Sequence, residues 1–211
     1  MNINNFKNKI YKESKLYASK NGWQRDIFNY ISKKLNLDYK KIHVFFPEGY
    51  VTLINMYLDE INEKMTNDSK KINLIRLRTH ERIRELIILR LRIMQKEKKL
   101  ISKTFFHLSL PNNHILSSVH LFKTTDQIWY LAGDSSTDFN FYTKRLILSK
   151  IYTVTLFHFI NNNNLEETIR VLDKQLEKVS KIPKIKRMVK DIKILTPKIL
   201  NLSKRFSFIK Q

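Results

Sequence analysis

Turn-forming residues are scarce in this chain. Across 211 residues there are three glycines, Gly22, Gly49 and Gly133, and four prolines, Pro47, Pro111, Pro183 and Pro197. Strands and hairpins need such residues at their turns, so so few breakers leave long uninterrupted segments. The apolar spacing inside those segments is helical: Ile83, Leu86, Ile87, Arg90, Leu91 and Met94 recur at steps of one, three and four, and Leu146, Ile147, Ile151, Val154 and Phe157 do so later. The pattern predicts an all-α chain with helices near 5–20, 26–35, 39–46, 48–65, 71–98, 100–109, 112–131, 138–161, 164–181 and 184–208. Short helices first and longer ones after suggest a small head over 1–65, a larger helical body over 66–183 and a C-terminal amphipathic helix over 184–211.

Composition narrows the function classes. Forty Lys and Arg against nineteen Asp and Glu give a formal net charge of +21, which attracts polyanions, either nucleic acid or an anionic membrane surface. Biased composition that inflates Lys, Ile and Asn together, as in the run Asn161–Asn164, also explains part of this excess, so position has to choose between partners. The absence of cysteine excludes disulfides and cysteine-held metals. His43, His80, His107, His114, His120 and His158 form no two-histidine metal spacing, and so few glycines leave no phosphate-binding loop or dinucleotide fingerprint. Ser135 and Ser136 have no base nearby in sequence, and Asp134 and Asp138 both read as capping residues. No catalytic residue, metal or cofactor is expected, and the chain reads as a non-enzyme. The polar start predicts no signal or transit peptide and hence a bacterial-type cytoplasm, with contact at the inner face of the membrane limited to the periphery, because no apolar run reaches roughly 18 residues.

The stretch Ile31-Ser-Lys-Lys-Leu-Asn-Leu-Asp-Tyr-Lys-Lys-Ile-His-Val-Phe-Phe-Pro-Glu-Gly-Tyr resembles the helix-turn-helix of TetR-type regulators. Asn36 suits the left-handed residue of the turn, and Asp38 can cap the following helix. Where that pattern has a Tyr and a Lys that touch phosphate, this chain has His43 and Gly49. Lys33, Lys34, Lys40 and Lys41 keep a nonspecific attraction, but sequence-specific nucleic-acid binding is not expected. A TetR-type DNA-binding repressor stands as the alternative function.

The most distinctive run is Gly133-Asp-Ser-Ser-Thr-Asp-Phe-Asn-Phe-Tyr-Thr-Lys-Arg145. Gly133 can end one helix, and Ser136, Thr137 or Asp138 can cap the next. The run resembles the hallmark Gly-Asp-x-Ser-Thr-Asp-Phe-Asn-Trp-Tyr-Thr-Lys/Arg-Arg of the coenzyme-Q biosynthesis protein nine family. Glu167-Thr168 followed by Leu172-Asp173 is similar to a second family stretch. The resemblance implies a TetR-like fold that binds an isoprenoid lipid or quinone intermediate and presents it to the di-iron demethoxyubiquinone hydroxylase. It also implies a partner-binding patch at Asp138, Phe139, Asn140, Phe141, Tyr142 and Arg145, with Phe141 in place of the usual Trp. Phe139, Tyr142 and Arg145 recur at three-residue steps and are expected to share one helix surface, and aromatics with arginine are residue types that dominate interfaces. TetR-like folds commonly pair through their late helices, so a homodimer is expected as well.

Two further sites are expected. Trp129, Ile147, Ile151, Leu156 and Phe157 are candidate lipid-binding residues, on helices rich enough in apolar side chains to enclose a cavity. In the tail, Ile185, Met188, Ile192, Leu195, Ile199, Leu202 and Phe206 fall on one helix face, and Lys186, Lys190 and Lys193 populate the other. A basic amphipathic helix of this kind lies in an anionic membrane interface.

Overall fold

The structure, a computed structural model, describes residues 3–180, and the expected tail site at 184–211 lies outside the described residues. Two compact units divide the chain, 1–172 and 173–211; of the second, the described part is the C-terminal half of the last helix. All regular structure among the described residues is helical: α1 (Ile3–Asn21), α2 (Ile27–Leu35), α3 (Tyr39–Phe45), α4 (Tyr50–Ser69), α5 (Thr79–Gln95), α6 (Lys98–Leu108), α7 (His114–Leu131), α8 (Phe139–Asn161) and α9 (Leu165–Ser180).

In the head, α2 and α3 are joined by the tight turn the sequence predicts. Asn36 sits in the left-handed region at φ 50°, ψ 51°, where Asn is tolerated because its short side chain satisfies the local backbone. Asp38 accepts from the Lys40 amide at 2.9 Å and so caps α3. Ile27, Phe28, Ile31, Ile42 and Phe46 pack under these helices. The head is bolted to the body. Trp23 donates from Nε1 to Thr104 Oγ1 at 2.9 Å, and Lys15 pairs with Glu97 at 2.7 Å. The expected head boundary at residue 65 falls inside α4, which continues without a break to Ser69.

The helix expected over 71–98 starts only at Thr79. Residues 70–78 instead form an irregular strap containing one 3₁₀ turn, Leu74–Arg76. The strap is held by Arg82, which donates to the carbonyls of Leu77 (2.8 Å) and Ile75 (3.2 Å), and by the Glu81 carboxylate, which accepts from the Arg78 amide at 2.7 Å. Neither Gly nor Pro marks this break, so local sequence carries no sign of it.

The expected core face of α5 is the observed one: Ile83, Leu86, Ile87, Arg90, Leu91 and Met94 are all buried. Arg90 is the largest fully buried side chain, and its guanidinium donates to Tyr152 Oη (2.8 Å), Asn62 Oδ1 (2.6 Å) and Thr124 Oγ1 (3.3 Å), three neutral acceptors on α8, α4 and α7. The face of α8 differs from the periodicity reading. Arg145, Leu148, Ile151, Tyr152, Thr155 and Phe159 are buried, while Leu146, Val154 and Phe157 point outward at 53%, 38% and 60% exposure. The helix is apolar nearly all round, so its spacing does not select a side, and the buried threonines bond back to their own helix, as Thr155 Oγ1 does to the Ile151 carbonyl at 2.8 Å.

Candidate functional site

The turn between α7 and α8 shapes the site. Gly133, at φ +87°, takes the left-handed position after α7, and Asp134 N donates to the Trp129 carbonyl (3.0 Å) while Gly133 N donates to Tyr130 (3.0 Å). These are the two closing bonds of a Schellman motif. Arg82 adds a third constraint by donating to the Ala132 carbonyl at 3.1 Å. Five residues on, the Asp138 side chain accepts from the Asn140 amide at 3.0 Å and starts α8. Both features were expected from the sequence.

Asp134, read from sequence as a capping residue, is the hub. Its carboxylate is 3% exposed; Oδ1 accepts from Lys144 Nζ (2.6 Å) and Ser136 Oγ (2.9 Å), and Oδ2 accepts from Arg145 Nη1 (2.8 Å). Burial alone raises the Asp134 carboxyl, but hydrogen bonds from Lys144, Arg145 and Ser136 outweigh it and hold the group well below the usual carboxylate range. Arg145 reaches a second carboxylate with Nε, at Asp126 Oδ1 (2.8 Å), and stacks on the Phe141 ring with Cζ 3.4 Å from its centroid. Lys144 lies 5.4 Å from the Trp129 ring centroid, and Trp129 Nε1 donates to the Lys144 carbonyl at 3.1 Å.

Arg145 therefore does not share an open surface with Phe139 and Tyr142, as the three-residue spacing suggested. Its guanidinium is buried, because two carboxylates and an aromatic face solvate it better from inside. Phe139, Phe141 and Tyr142 are half-buried, and Asp138 and Asn140 are exposed. Phe141 packs edge-on to Tyr142 at 5.1 Å and lies 6.3 Å from Phe122 of α7. Asp126, Gln127, Tyr130, Asp134, Ser135, Ser136, Thr137, Phe141 and Arg145 line an open cleft of about 470 Å³, with Tyr130 70% exposed at its rim. Of these, Asp126, Gln127 and Tyr130 were not singled out from sequence.

Ser136 also has a neighbour that sequence distance concealed: Lys144 Nζ lies 2.6 Å from its Oγ. The ammonium is committed to the Asp134 carboxylate and donates to the serine, so this contact supplies a hydrogen bond to the hydroxyl rather than a base for it. Among the described residues no group of three His, Asp or Glu could hold a metal.

The expected lipid-binding residues do not converge on this cleft. Trp129, Ile147 and Leu156 are half-buried, Ile151 is buried in the core, and Phe157 faces outward, 6.4 Å from the Phe105 ring. No helix of the described residues is long and apolar enough to cross a membrane.

Comparison with known proteins converges on the same segment. Residues 115–183 match the COQ9 family. The chain is 25% identical over 169 residues to the mitochondrial ubiquinone biosynthesis protein COQ9 of Bos taurus, covering 76% of this chain and 53% of that protein. The Rattus norvegicus protein of the same name is 26% identical over 168 residues, covering 76% and 54%, and the probable coq9 of Dictyostelium discoideum is 31% identical over 86 residues, covering 40% and 28%. The chain thus spans about half the length of the first of these relatives. The crystal structure of a TetR transcriptional regulator from Nitrosomonas europaea superposes with a TM-score of 0.66 at 17% identity, covering 83% of this chain and 98% of that one, which is a likeness of fold. The hallmark turn, its ion-pair hub and the aromatic start of α8 all lie inside the segment that matches the COQ9 family.

Proposed function

We propose that this protein serves ubiquinone biosynthesis without catalysing a step of it: it binds an isoprenoid lipid or quinone intermediate and presents it to the di-iron demethoxyubiquinone hydroxylase. The observation that carries this reading is the coincidence of the family segment with the Asp134 hub and the aromatic cleft. The relatives matched there are named ubiquinone biosynthesis proteins. The hub is a scaffold of ion pairs that fixes one end of α8, and the side chains it leaves at the surface, Tyr130, Phe139, Phe141 and Tyr142, are of the types that anchor protein interfaces. In this reading Phe139, Phe141, Tyr142, Asp138 and Asn140 meet the hydroxylase, and Arg145 positions Phe141. Lipid is held along α7 and α8 near Trp129, Ile147, Ile151, Leu156 and Phe157. The tail places the protein on the inner membrane face, and outward apolar side chains of α7 and α8, Ile115, Phe122, Leu146 and Val154, pair two copies.

Mass spectrometry of lipids extracted from the purified protein, beside a control protein of similar charge, tests the cargo. Enriched isoprenoid quinones or their precursors are expected; a profile matching the control overturns the lipid-presenting role. Titration of the hydroxylase with Phe141→Ala and Tyr142→Ala tests the partner, with at least a tenfold loss of affinity expected while both variants remain folded.

The well-formed turn at Asn36 and cap at Asp38 favour one other reading, a DNA-binding repressor. On α3, His43 is tied to Tyr39 Oη at 2.8 Å. A repressor requires affinity for a short palindrome well above that for random DNA at the same salt, and equal affinity for the two removes this reading.

A further inference from the structure

We infer that the strap between α4 and α5, residues 70–78, is a contact surface for a bilayer with anionic headgroups, set beside the turn at Gly133. Ile75 is 87% exposed, more than any other large apolar side chain given for the described residues. Around it Lys70, Arg76, Arg78 and His80 are exposed, and no acidic residue occurs from Ser69 to His80. The flanking carboxylates are already engaged, Asp68 with Lys71 at 2.6 Å and Glu81 with the Arg78 amide. Among the described residues, Lys70, Arg76 and Arg78 have no carboxylate within ion-pair distance. A single apolar tip ringed by uncompensated cations is complementary to a headgroup layer: the tip enters the acyl boundary while the cations stay at the phosphates.

The strap is held in place. Leu77 N donates to the Leu74 carbonyl at 3.1 Å, and Ile72, Leu74 and Leu77 turn partly inward, leaving Ile75 as the outward residue. Arg82 bonds the Ile75 and Leu77 carbonyls from one side of its guanidinium and the Ala132 carbonyl from another. The same side chain therefore ties the lipid-facing strap to the turn that starts the hallmark. A bilayer touching Ile75 lies next to the Gly133 turn, whether or not the tail or a bound quinone takes part.

The chain has no cysteine, so Ile75→Cys labelled with an environment-sensitive fluorophore reports this position alone. The full-length labelled protein is mixed with vesicles of phosphatidylcholine, with and without about a third phosphatidylglycerol. A blue-shifted emission quenched by spin-labelled acyl chains, confined to the anionic vesicles, is expected. In the unlabelled protein, Arg76→Ser with Arg78→Ser should weaken co-sedimentation on the order of twentyfold, roughly fivefold per charge. Serine is the better residue to precede α5, so this variant keeps the fold. Lys40→Gln with Lys41→Gln removes the same charge from exposed positions of the head and should leave binding near wild type. A label that stays in water while the protein sediments with anionic vesicles overturns the inference, as does an equal loss in both double variants or no vesicle binding at all. Binding of the wild type to nucleic acid with the same label response would assign the strap to that polyanion instead, and also overturns it.

Discussion

Asp134 and Asp126 bond the same guanidinium from opposite environments, so replacing each by Asn separates a buried ion pair from an exposed one. Asp134 and Arg145 are 3% and 4% exposed, whereas Asp126 is 42% exposed. Removing one partner of a buried pair costs about 3–5 kcal/mol, because the remaining charge is left without compensation. Here Asp126 stays bonded to Arg145, and Lys144, 36% exposed, regains water, so the lower end applies and Asp134→Asn should cost about 3 kcal/mol. Asp126→Asn should cost under about 1 kcal/mol, as exposed pairs do. Acid supplies the second reading. The Asp134 carboxyl is depressed in the fold, so the native state binds fewer protons than the unfolded chain there. Its contribution is whole above the unfolded carboxylate value near 4 and is lost as pH falls below it, by at most about 1.4 kcal/mol per unit. Urea denaturation at pH 7 and pH 3 should therefore show the gap between wild type and Asp134→Asn narrowing by about 1 kcal/mol. A gap under about 1 kcal/mol at pH 7, or one that is unchanged in acid, refutes the buried-pair account.

Three other substitutions probe the frame around this hub. Gly133→Ala should lower stability by about 1–2 kcal/mol in urea melts, since φ is +87° and the added methyl would lie 3.1 Å from Arg82 Nη1, an atom that holds both the turn and the strap. Asn36→Gly should be nearly neutral in thermal melting, while Asn36→Val should be destabilised by more than about 1 kcal/mol, because a β-branched residue resists the left-handed turn. Arg90→Met should remain within about 1 kcal/mol of wild type, as it keeps volume and relieves a guanidinium bonded only to neutral acceptors, whereas Arg90→Ala should cost about 3 kcal/mol for the cavity.

Local chemistry made much of the fold legible. The α5 face, the Asn36 turn, the Asp38 cap, the Gly133 stop and the Asp138 start each depend on residues within four positions of one another, where propensity and capping act. The hub was hidden because its bonds are not local: Arg145 meets Asp134 and Asp126 across 11 and 19 residues. From spacing alone an arginine three residues after Tyr142 belongs on a surface, and only the two carboxylates make the inward rotamer favourable. The same reasoning covers the strap, whose break is imposed by Arg82 bonding carbonyls before α5 and after α7. The lipid-binding candidates suffer from the opposite difficulty, since on a helix apolar nearly all round every Leu and Ile fits core, pocket and subunit interface equally well.

Arg145→Lys distinguishes a hub that positions the aromatic patch from one that merely stabilises the chain. The guanidinium bonds Asp126 through Nε and Asp134 through Nη1 while its plane lies on Phe141. A lysine keeps the charge and most of the Coulomb attraction, but one ammonium offers no plane to stack and cannot reproduce the fork that spans two carboxylates. Stability should therefore fall by only about 1–2 kcal/mol, less than for Asp134→Asn. Phe141, released from the stack, should sample more orientations, visible as averaged ring signals by NMR, and hydroxylase affinity should fall by as much as with Phe141→Ala. Tyr142→Ala, in contrast, should lower that affinity with the Phe141 ring shifted in resonance but still held on Arg145, and with the urea midpoint little changed. If Arg145→Lys bound the hydroxylase as wild type does while losing the same stability, the ion pairs would hold only the helix start, and the orientation of Phe141 would have no part in recognition.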